Sequence, residues 1–321
     1  VSAERRALCE PATTNAECSA FVTAFAGAIE LCRPLNVVIA AAAILVGGRF
    51  AGAAIAALAP LLPPATFLLA AGYAWNDVED ADRDRVSHAR RPIPAKRLSA
   101  RAASLVAAAL FVVGIALTLV VPVSPLARTM LLVWALLLVS YRRIASRAPV
   151  LKGIVASGLT ASALLLGGSA GRAPEAAFFP AAFAFLLTWV REMVKDLGDR
   201  AGDRAVGRPS WIDSLRPAHA RAFIAASAAS ILLLIPMPAI FMGYGALYLA
   251  VAAFGVGVTL VVLCRDLSRL VPNESVGALA RPANRALPAP APFVRASRML
   301  KASMIAGLFA LLLGATGGGA G

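Results

Sequence analysis

Two runs of acids carry most of the chemistry available to this chain. The first is Asn76-Asp77-Val78-Glu79-Asp80-Ala81-Asp82-Arg83-Asp84, and the second is Asp196-Leu197-Gly198-Asp199-Arg200-Ala201-Gly202-Asp203. Each follows a long apolar stretch. Carboxylates are costly near hydrocarbon, so acids gathered there point to function. On a helix, residues four apart share a face. Asn76, Asp80 and Asp84 have that spacing, as do Asp199 and Asp203, and Asp196 lies one turn before Asp199. Each run offers a column of oxygen ligands if its helix continues beyond the apolar part. Mg²⁺ favours a few carboxylates together with phosphate oxygens and water, so two facing columns suit about two or three ions around one diphosphate. One acidic loop alone is more commonly solvated and paired with neighbouring arginines. A matched pair at two span ends argues for a shared site.

The elements that must position these acids are membrane spans. The chain has 321 residues, 60% apolar and 15% charged, which excludes an ordinary soluble domain. The net charge of +14 sits in loops between apolar stretches. That placement suits anionic lipid and phosphate ligands rather than nucleic acid, and no protein partner is expected. Cys9, Cys18, Cys32 and Cys264 show neither metal spacing nor a disulfide framework. His88 and His219 have no partner spacing and are expected to face solvent.

Stretches long enough to cross about 30 Å of hydrocarbon fall near 21–46, 55–77, 100–121, 125–141, 150–170, 175–194, 218–236, 239–264 and 299–315. The expected fold is an all-α membrane protein, nine transmembrane helices in a bundle with a cytoplasmic-facing cavity. Pro60, Pro63 and Pro64 start or kink the second span. Segments 76–101, 141–152, 191–221 and 265–301 hold 7, 4, 7 and 7 Lys/Arg, whereas the alternate loops hold only Arg49, Arg128 and Arg172. The positive-inside rule then predicts a multi-pass protein of the cell (inner) membrane, with the N-terminus and both acidic runs cytoplasmic and the C-terminus outside. No basic, apolar, cleavable leader is read at Val1. Residues 1–20 are expected to form a polar, mobile tail, 21–315 the membrane domain, 266–298 a flexible Pro-rich linker within it, and 316–321 a glycine-rich end.

With these motifs in place, the chain resembles the UbiA superfamily of intramembrane prenyltransferases. Asn76, Asp77, Asp80 and Asp84 meet its first signature, NDxxDxxxD. Asp196, Asp199, Gly202 and Asp203 meet the second, DxxDxxGD. The run Arg90-Arg91-Pro92-Ile93-Pro94-Ala95-Lys96-Arg97-Leu98-Ser99 looks like the family's RP-loop, with Lys96 where a glycine is common. Arg33-Pro34-x-Asn36 resembles the opening motif. The resemblance implies Mg²⁺-dependent transfer of a prenyl group from an isoprenyl diphosphate to a lipophilic acceptor within membrane lipid. It assigns Asn76, Asp80, Asp84, Asp199 and Asp203 as metal ligands, with Asp77 and Asp196 as lesser candidates. Asp80, Asp84, Asp199 and Asp203 are then the catalytic acids. Arg33, Asn36, Arg91, Arg191 and Lys195 are candidate substrate contacts. The family's Tyr-xxx-Lys is absent at Tyr141-Arg142-Arg143-Ile144-Ala145, so Tyr141, Arg143 or Arg147 takes that part, with positive-inside anchoring as the plainer role of these arginines. Tyr73, Trp75, Phe185 and Trp189 lie near the motifs, as packing aromatics or as faces for an allylic cation.

The stretch Arg191-Glu192-Met193-Val194-Lys195-Asp196 extending into the second motif looks most like the form in digeranylgeranylglyceryl phosphate synthases and their bacterial relatives. That likeness implies a geranylgeranyl donor and an alcohol acceptor such as geranylgeranylglyceryl phosphate. The alternatives are an aromatic quinone-precursor acceptor and phosphoribosyl transfer to a polyprenyl phosphate. A transporter would place its charges near the bilayer midplane, where these spans have almost none. The DG-x-x-AR run of CDP-alcohol phosphotransferases is absent.

Overall fold

The computed structural model describes residues 10–205, 207, 211–271 and 291–317. Among them the chain is helical, with no strand. Helix α1 spans Glu10–Leu31 and α2 Pro34–Phe50. A short lead-in at Ile55–Leu58 and a 3₁₀ turn at Ala59–Leu61 open into α3, Leu62–Glu79, so the three prolines start this span rather than kink it. Next come α4, Ala81–Ser87; α5, Ala100–Val120; α6, Pro125–Arg147; and α7, Pro149–Gly168. Helix α8, Phe178–Ala205, carries the second acidic run, and α9 spans Pro217–Leu234. A span split by a π turn at Ala253–Gly257 supplies α10, Ala246–Ala252, and α11, Val258–Leu270, before α12, Ala291–Gly317.

Eight helical stretches among the described residues are long and apolar enough to cross a membrane, and Pro125–Tyr141 is a ninth, shorter one. This is a multi-pass helical membrane bundle. Residues such as Val38, Val112, Leu233 and Phe254 are exposed on its outer surface, as a lipid-facing surface requires. Two boundaries differ from the expected ones. Helix α1 begins at Glu10, inside the expected tail, and residues 1–9 lie outside the described set. The expected linker is helical at both ends, in the last turn of α11 and the first two turns of α12, and its middle, 272–290, lies outside the described residues. Residues that read as polar by composition still extend a helix once its apolar part is anchored, because each added residue gains a backbone hydrogen bond.

Helix ends are built locally. Ser99 and Ser124 cap α5 and α6 by accepting from the N–H groups of Ala102 and Ala127. Arg128 donates to the carbonyls of Thr118 and Val121 at the end of α5, at 3.2 and 3.0 Å. The RP-loop folds as a tight turn in which the N–H of Arg97 bonds the Pro92 carbonyl at 2.9 Å. Arg97 also reaches Glu30 on α1 at 2.7 Å. Lys96 in this turn has φ +58°, the left-handed region that favours glycine. A backbone of that hand costs a side-chain-bearing residue roughly 1–2 kcal/mol.

Helices α2 and α7 cross with their backbones in near contact. A Cβ on Gly47 would run into the carbonyl of Leu164, and one on Gly167 into that of Ile44. Small residues at crossings are the membrane solution where no hydrophobic force draws helices together. Gly47→Ala should lower the melting temperature of detergent-purified protein by several degrees, in line with roughly 1–3 kcal/mol of overpacking. Unchanged melting would mean that the crossing yields freely. Lys96→Gly should act oppositely, stabilising by roughly 0.5–1 kcal/mol once the added freedom of the unfolded chain is subtracted. A lower melting temperature would show that the Lys96 side chain holds the loop.

Candidate active site

The two acidic runs meet. Helix α3 ends at Glu79, and the near-helical backbone of Asp80 passes directly into α4, with the N–H of Asp80 bonded to Asn76 and that of Asp84 to Asp80. Asn76, Asp80 and Asp84 thus succeed one another at one-turn intervals. Helix α4 packs on the end of α8, which presents Asp199 and Asp203. Arg83 stands between the runs, 2.7 Å from Asp80, 3.6 Å from Asp84 and 3.7 Å from Asp203. Asn76 donates to Asp80 at 3.1 Å.

The remaining acids are paired from other elements. Asp77 meets Arg33 and, at 3.2 Å, Arg91. Arg91 also pairs with Asp84. Asp196 turns to Lys152 of α7 at 2.6 Å. His88 was expected to face solvent, yet its Nε2 lies 3.1 Å from Asp199. The charged neighbours of Arg83 explain its state. Burial works against its guanidinium, but Asp80, Asp199, Asp84 and Asp203 outweigh burial and raise its pKa. Burial raises Asp84 despite Arg91 and Arg83, and it raises Asp203 to about 6. One oxygen of Asp84, Oδ1, is buried and accepts no hydrogen bond.

Beside this cluster lies a cavity of about 200 Å³. Its polar wall includes Arg33, Asn36, Tyr73, Tyr141, Arg191 and Lys195, with Asn76 at its border with the acids. The rest of the wall is apolar, including Ile39, Leu69, Phe183, Leu187 and Leu308. Arg33 sits at a break between α1 and α2, with φ +48° and Pro34 following. Its guanidinium lies 5.4 Å from the centre of the Tyr73 ring. Arg191 and Lys195 both hold the buried Glu192, at 2.9 and 2.8 Å.

The predicted site residues therefore separate into groups. Asn76, Asp80, Asp84, Asp199 and Asp203 come together. Asp77 and Asp196 are engaged by cations at the edge of that group, and Arg91 is bound to acids rather than lining the cavity. Arg33, Asn36, Tyr141, Arg191 and Lys195 line the cavity. Arg143 is exposed outside it, and the side chain of Arg147 lies outside the described set. Of the aromatics, Tyr73 faces the cavity, while Trp189 stacks with Phe185 and Trp211 in the core. Arg83, His88, Lys152, Glu192 and Lys301 are the residues that sequence reasoning left without a part. Lys152 and Lys301 each carried a signal, a single cation at the start of an apolar span.

Among the described residues, no three acidic, His or Cys side chains converge as metal ligands would, and Arg83 lies within 3.7 Å of Asp80, Asp84 and Asp203. The donor set still fits a hard divalent cation. It is all oxygen, it comes from the α3–α4 run and from α8, and one buried carboxylate oxygen, Asp84 Oδ1, accepts no hydrogen bond.

The sequence profile of the UbiA prenyltransferase family matches residues 22–279. The chain belongs to this family. The digeranylgeranylglyceryl phosphate synthase of Methanopyrus kandleri is 38% identical over 182 residues, covering 56% of this chain and 66% of that relative's length. The synthase of the same description from Halobacterium salinarum is 32% identical over 75% of this chain and 87% of its own. Among solved structures, a UbiA homolog from Archaeoglobus fulgidus bound to DMAPP and Mg²⁺ shares the fold at a TM-score of 0.54 and 17% identity, over 87% of this chain and 98% of that one. UbiA membership agrees with the resemblance read from the paired motifs.

Within this UbiA site, the Lys152–Asp196 pair ties α7 to α8 beneath the acids. Removing Lys152 takes from the buried Asp196 the cation 2.6 Å away. Lys152→Met should destabilise by about 2 kcal/mol or more. Combined with Asp196→Asn, the loss should be smaller than the sum of the two single losses, as read from urea or thermal unfolding. Strict additivity would mean that the pair contributes nothing.

Proposed function

We propose that the chain is a Mg²⁺-dependent intramembrane prenyltransferase. It moves an isoprenyl group, best read as geranylgeranyl, from its diphosphate to the hydroxyl of geranylgeranylglyceryl phosphate or a similar alcohol. The observation that carries this reading is the meeting of two acidic columns from α3–α4 and α8 at the border of an apolar cavity with a cationic wall. The relatives' shared description as digeranylgeranylglyceryl phosphate synthases supports the acceptor, and the isoprenyl diphosphate and Mg²⁺ held by the Archaeoglobus homolog support the donor and the ion. Asn76, Asp80, Asp84, Asp199 and Asp203 would hold the metal, with Arg83 swinging aside. The excess of Lys and Arg in alternate loops supports a reading with the N-terminus and this site on the cytoplasmic face and the C-terminus outside.

When bound, Mg²⁺ neutralises the diphosphate and makes it a competent leaving group. The chain's own groups do the rest. Arg191 and Lys195 line the cavity next to the acids, where they meet diphosphate oxygens and favour charge as it builds there. The apolar wall holds the prenyl chain and excludes water from the allylic cation. Tyr73 turns a ring toward the same space. The carbon–oxygen bond to diphosphate breaks, the acceptor hydroxyl attacks the allylic carbon, and its proton passes late to an oxygen of the departed diphosphate, so a strong base is not required.

Turnover of purified protein with radiolabelled geranylgeranyl diphosphate tests this. Geranylgeranylglyceryl phosphate, 4-hydroxybenzoate, 1,4-dihydroxy-2-naphthoate and homogentisate should be offered in parallel, with Mg²⁺ or EDTA. A Mg²⁺-dependent product with the glyceryl phosphate is expected, and Asp80→Asn or Asp199→Asn should abolish it. Product with an aromatic acceptor alone would move the enzyme to quinone-type synthesis. Full turnover by both Asn variants would remove the metal assignment.

A further inference from the structure

Among the described residues, four cations line the cavity, Arg33, Arg191, Lys195 and Lys301, against a single acid, Glu192. Three of the four have acidic partners. Arg33 is held by Asp77, and Arg191 and Lys195 by Glu192. Lys301, on α12, has neither an ion pair nor a hydrogen bond among the described residues, and the charges that act on it are those of two more cations, Arg191 and Arg33. Partly exposed at the cavity wall, its ammonium can receive an anion from outside the chain. Its surroundings also fix the kind of molecule. Met304, Leu308 and Leu311 follow Lys301 at intervals of three or four residues and line the same cavity. One helix face therefore presents a cation at one end and an apolar stripe along the rest, which is the complement of a lipid with an anionic head.

We propose that Lys301, with Arg33 on the same cavity wall, forms a second anion subsite that takes the phosphate monoester head of the acceptor lipid. This rests on the prenyl-transfer reading above and deepens it. The subsite is separate from the Arg83-centred acids. Lys301 lines the cavity, whereas Asp80, Asp84, Asp199 and Asp203 are not among its lining residues. Arg33 stands between the two regions, paired with Asp77 on one side and lining the cavity on the other. A diphosphate at the acids and a phosphate at Lys301 would then lie on either side of the cation wall, with both apolar chains in the cavity. A charged head at Lys301 would orient the acceptor so that its hydroxyl, rather than its tail, faces the donor. Selectivity for phosphorylated over neutral lipid follows from the otherwise uncompensated charge.

The test is equilibrium binding to full-length protein in detergent with EDTA, so that no metal contributes. The probes are geranylgeranylglyceryl phosphate and the unphosphorylated geranylgeranylglycerol. Wild-type protein should favour the phosphate. Lys301→Met should weaken phosphate binding roughly tenfold or more and leave the neutral lipid within about twofold, while Lys301→Arg should restore most of the preference. Lys301→Gln gives a second neutral variant should Met disturb folding, and melting curves check each protein. Binding of geranylgeranyl diphosphate with Mg²⁺ should be unmoved by Lys301→Met. A loss confined to the diphosphate would assign Lys301 to the donor and overturn the proposal, as would equal losses for both phosphate-bearing probes or no loss at all. Wild-type protein that turns over no acceptor would sink the prenyl-transfer reading itself. Normal turnover with Lys301-insensitive binding would sink only this inference.

Discussion

The structure depends on how it neutralises carboxylates at the edge of hydrocarbon. Asp77, Asp84, Asp196, Asp199 and Asp203 are all buried, and an isolated buried carboxylate is too costly to keep charged. Each acid meets a cation or a histidine from another segment. Arg33 at the α1–α2 break reaches Asp77 on α3, Lys152 on α7 reaches Asp196 on α8, and Arg83 on α4 reaches Asp203 on α8. A buried ion pair is weak evidence of net stability, but a wrong register would strand both of its charges. The pairs therefore act on specificity, fixing how the helices align at the end that bears the acids. Elsewhere small residues do this by contact, as at the glycine crossing of α2 and α7.

The same requirement accounts for strain near the cavity. Arg33 holds a left-handed backbone, of the kind that costs roughly 1–3 kcal/mol, and the following proline leaves α2 without one more donor to satisfy. The break turns the guanidinium toward Asp77 and the Tyr73 ring. A continuous helix would carry Arg33 past the point where it serves both acid and cavity. Lys96 holds the same hand in the RP-loop, whose turn is tied to α1 through Arg97 and Glu30. Both unusual backbones lie in segments that carry cations to the acidic end.

What the sequence made legible was periodic. The spans showed as apolar runs, and the columns Asn76–Asp80–Asp84 and Asp199–Asp203 showed as fours, because helical spacing is a local property. Even the short apolar part of the sixth helix was visible, as the stretch 125–141. Pairing between distant segments left no such trace. The place of Lys152 at the start of an apolar span marked it locally, but nothing local named its partner: it is half-buried against Asp196, while Arg143, nine residues earlier on the neighbouring helix, is exposed. His88 looked solvated because its partner is 111 residues away. Arg83 looked like spacer within a motif, yet it occupies the centre of the cluster. Lys301 was absorbed into a count of basic residues, since only the packing of α12 on α8 and α2 brings it to the cavity. The tail boundary failed for a different reason. Polarity marks where lipid ends, not where a helix ends.

Charge separation explains why one site can serve two anions. A diphosphate does not lie favourably among bare carboxylates, and a divalent ion does not lie favourably among bare arginines. Here the acids gather about Arg83, while the cations line the adjoining cavity with Glu192 as their single lining acid. Arg83 and Arg91 bring two positive charges to four carboxylates, Asp80, Asp84, Asp199 and Asp203, so the acids still outnumber these cations and suit further ones. The cavity keeps an excess of the opposite sign. On the proposed reading, a metal–diphosphate complex lies across this boundary with its ions toward the acids and its oxygens toward Arg191 and Lys195. Moving either set into the other's place would cancel the field that holds the complex there. The prenyl chain then has only the apolar side of the cavity in which to lie, so the polarity of the wall sets the direction in which the substrate enters and reacts.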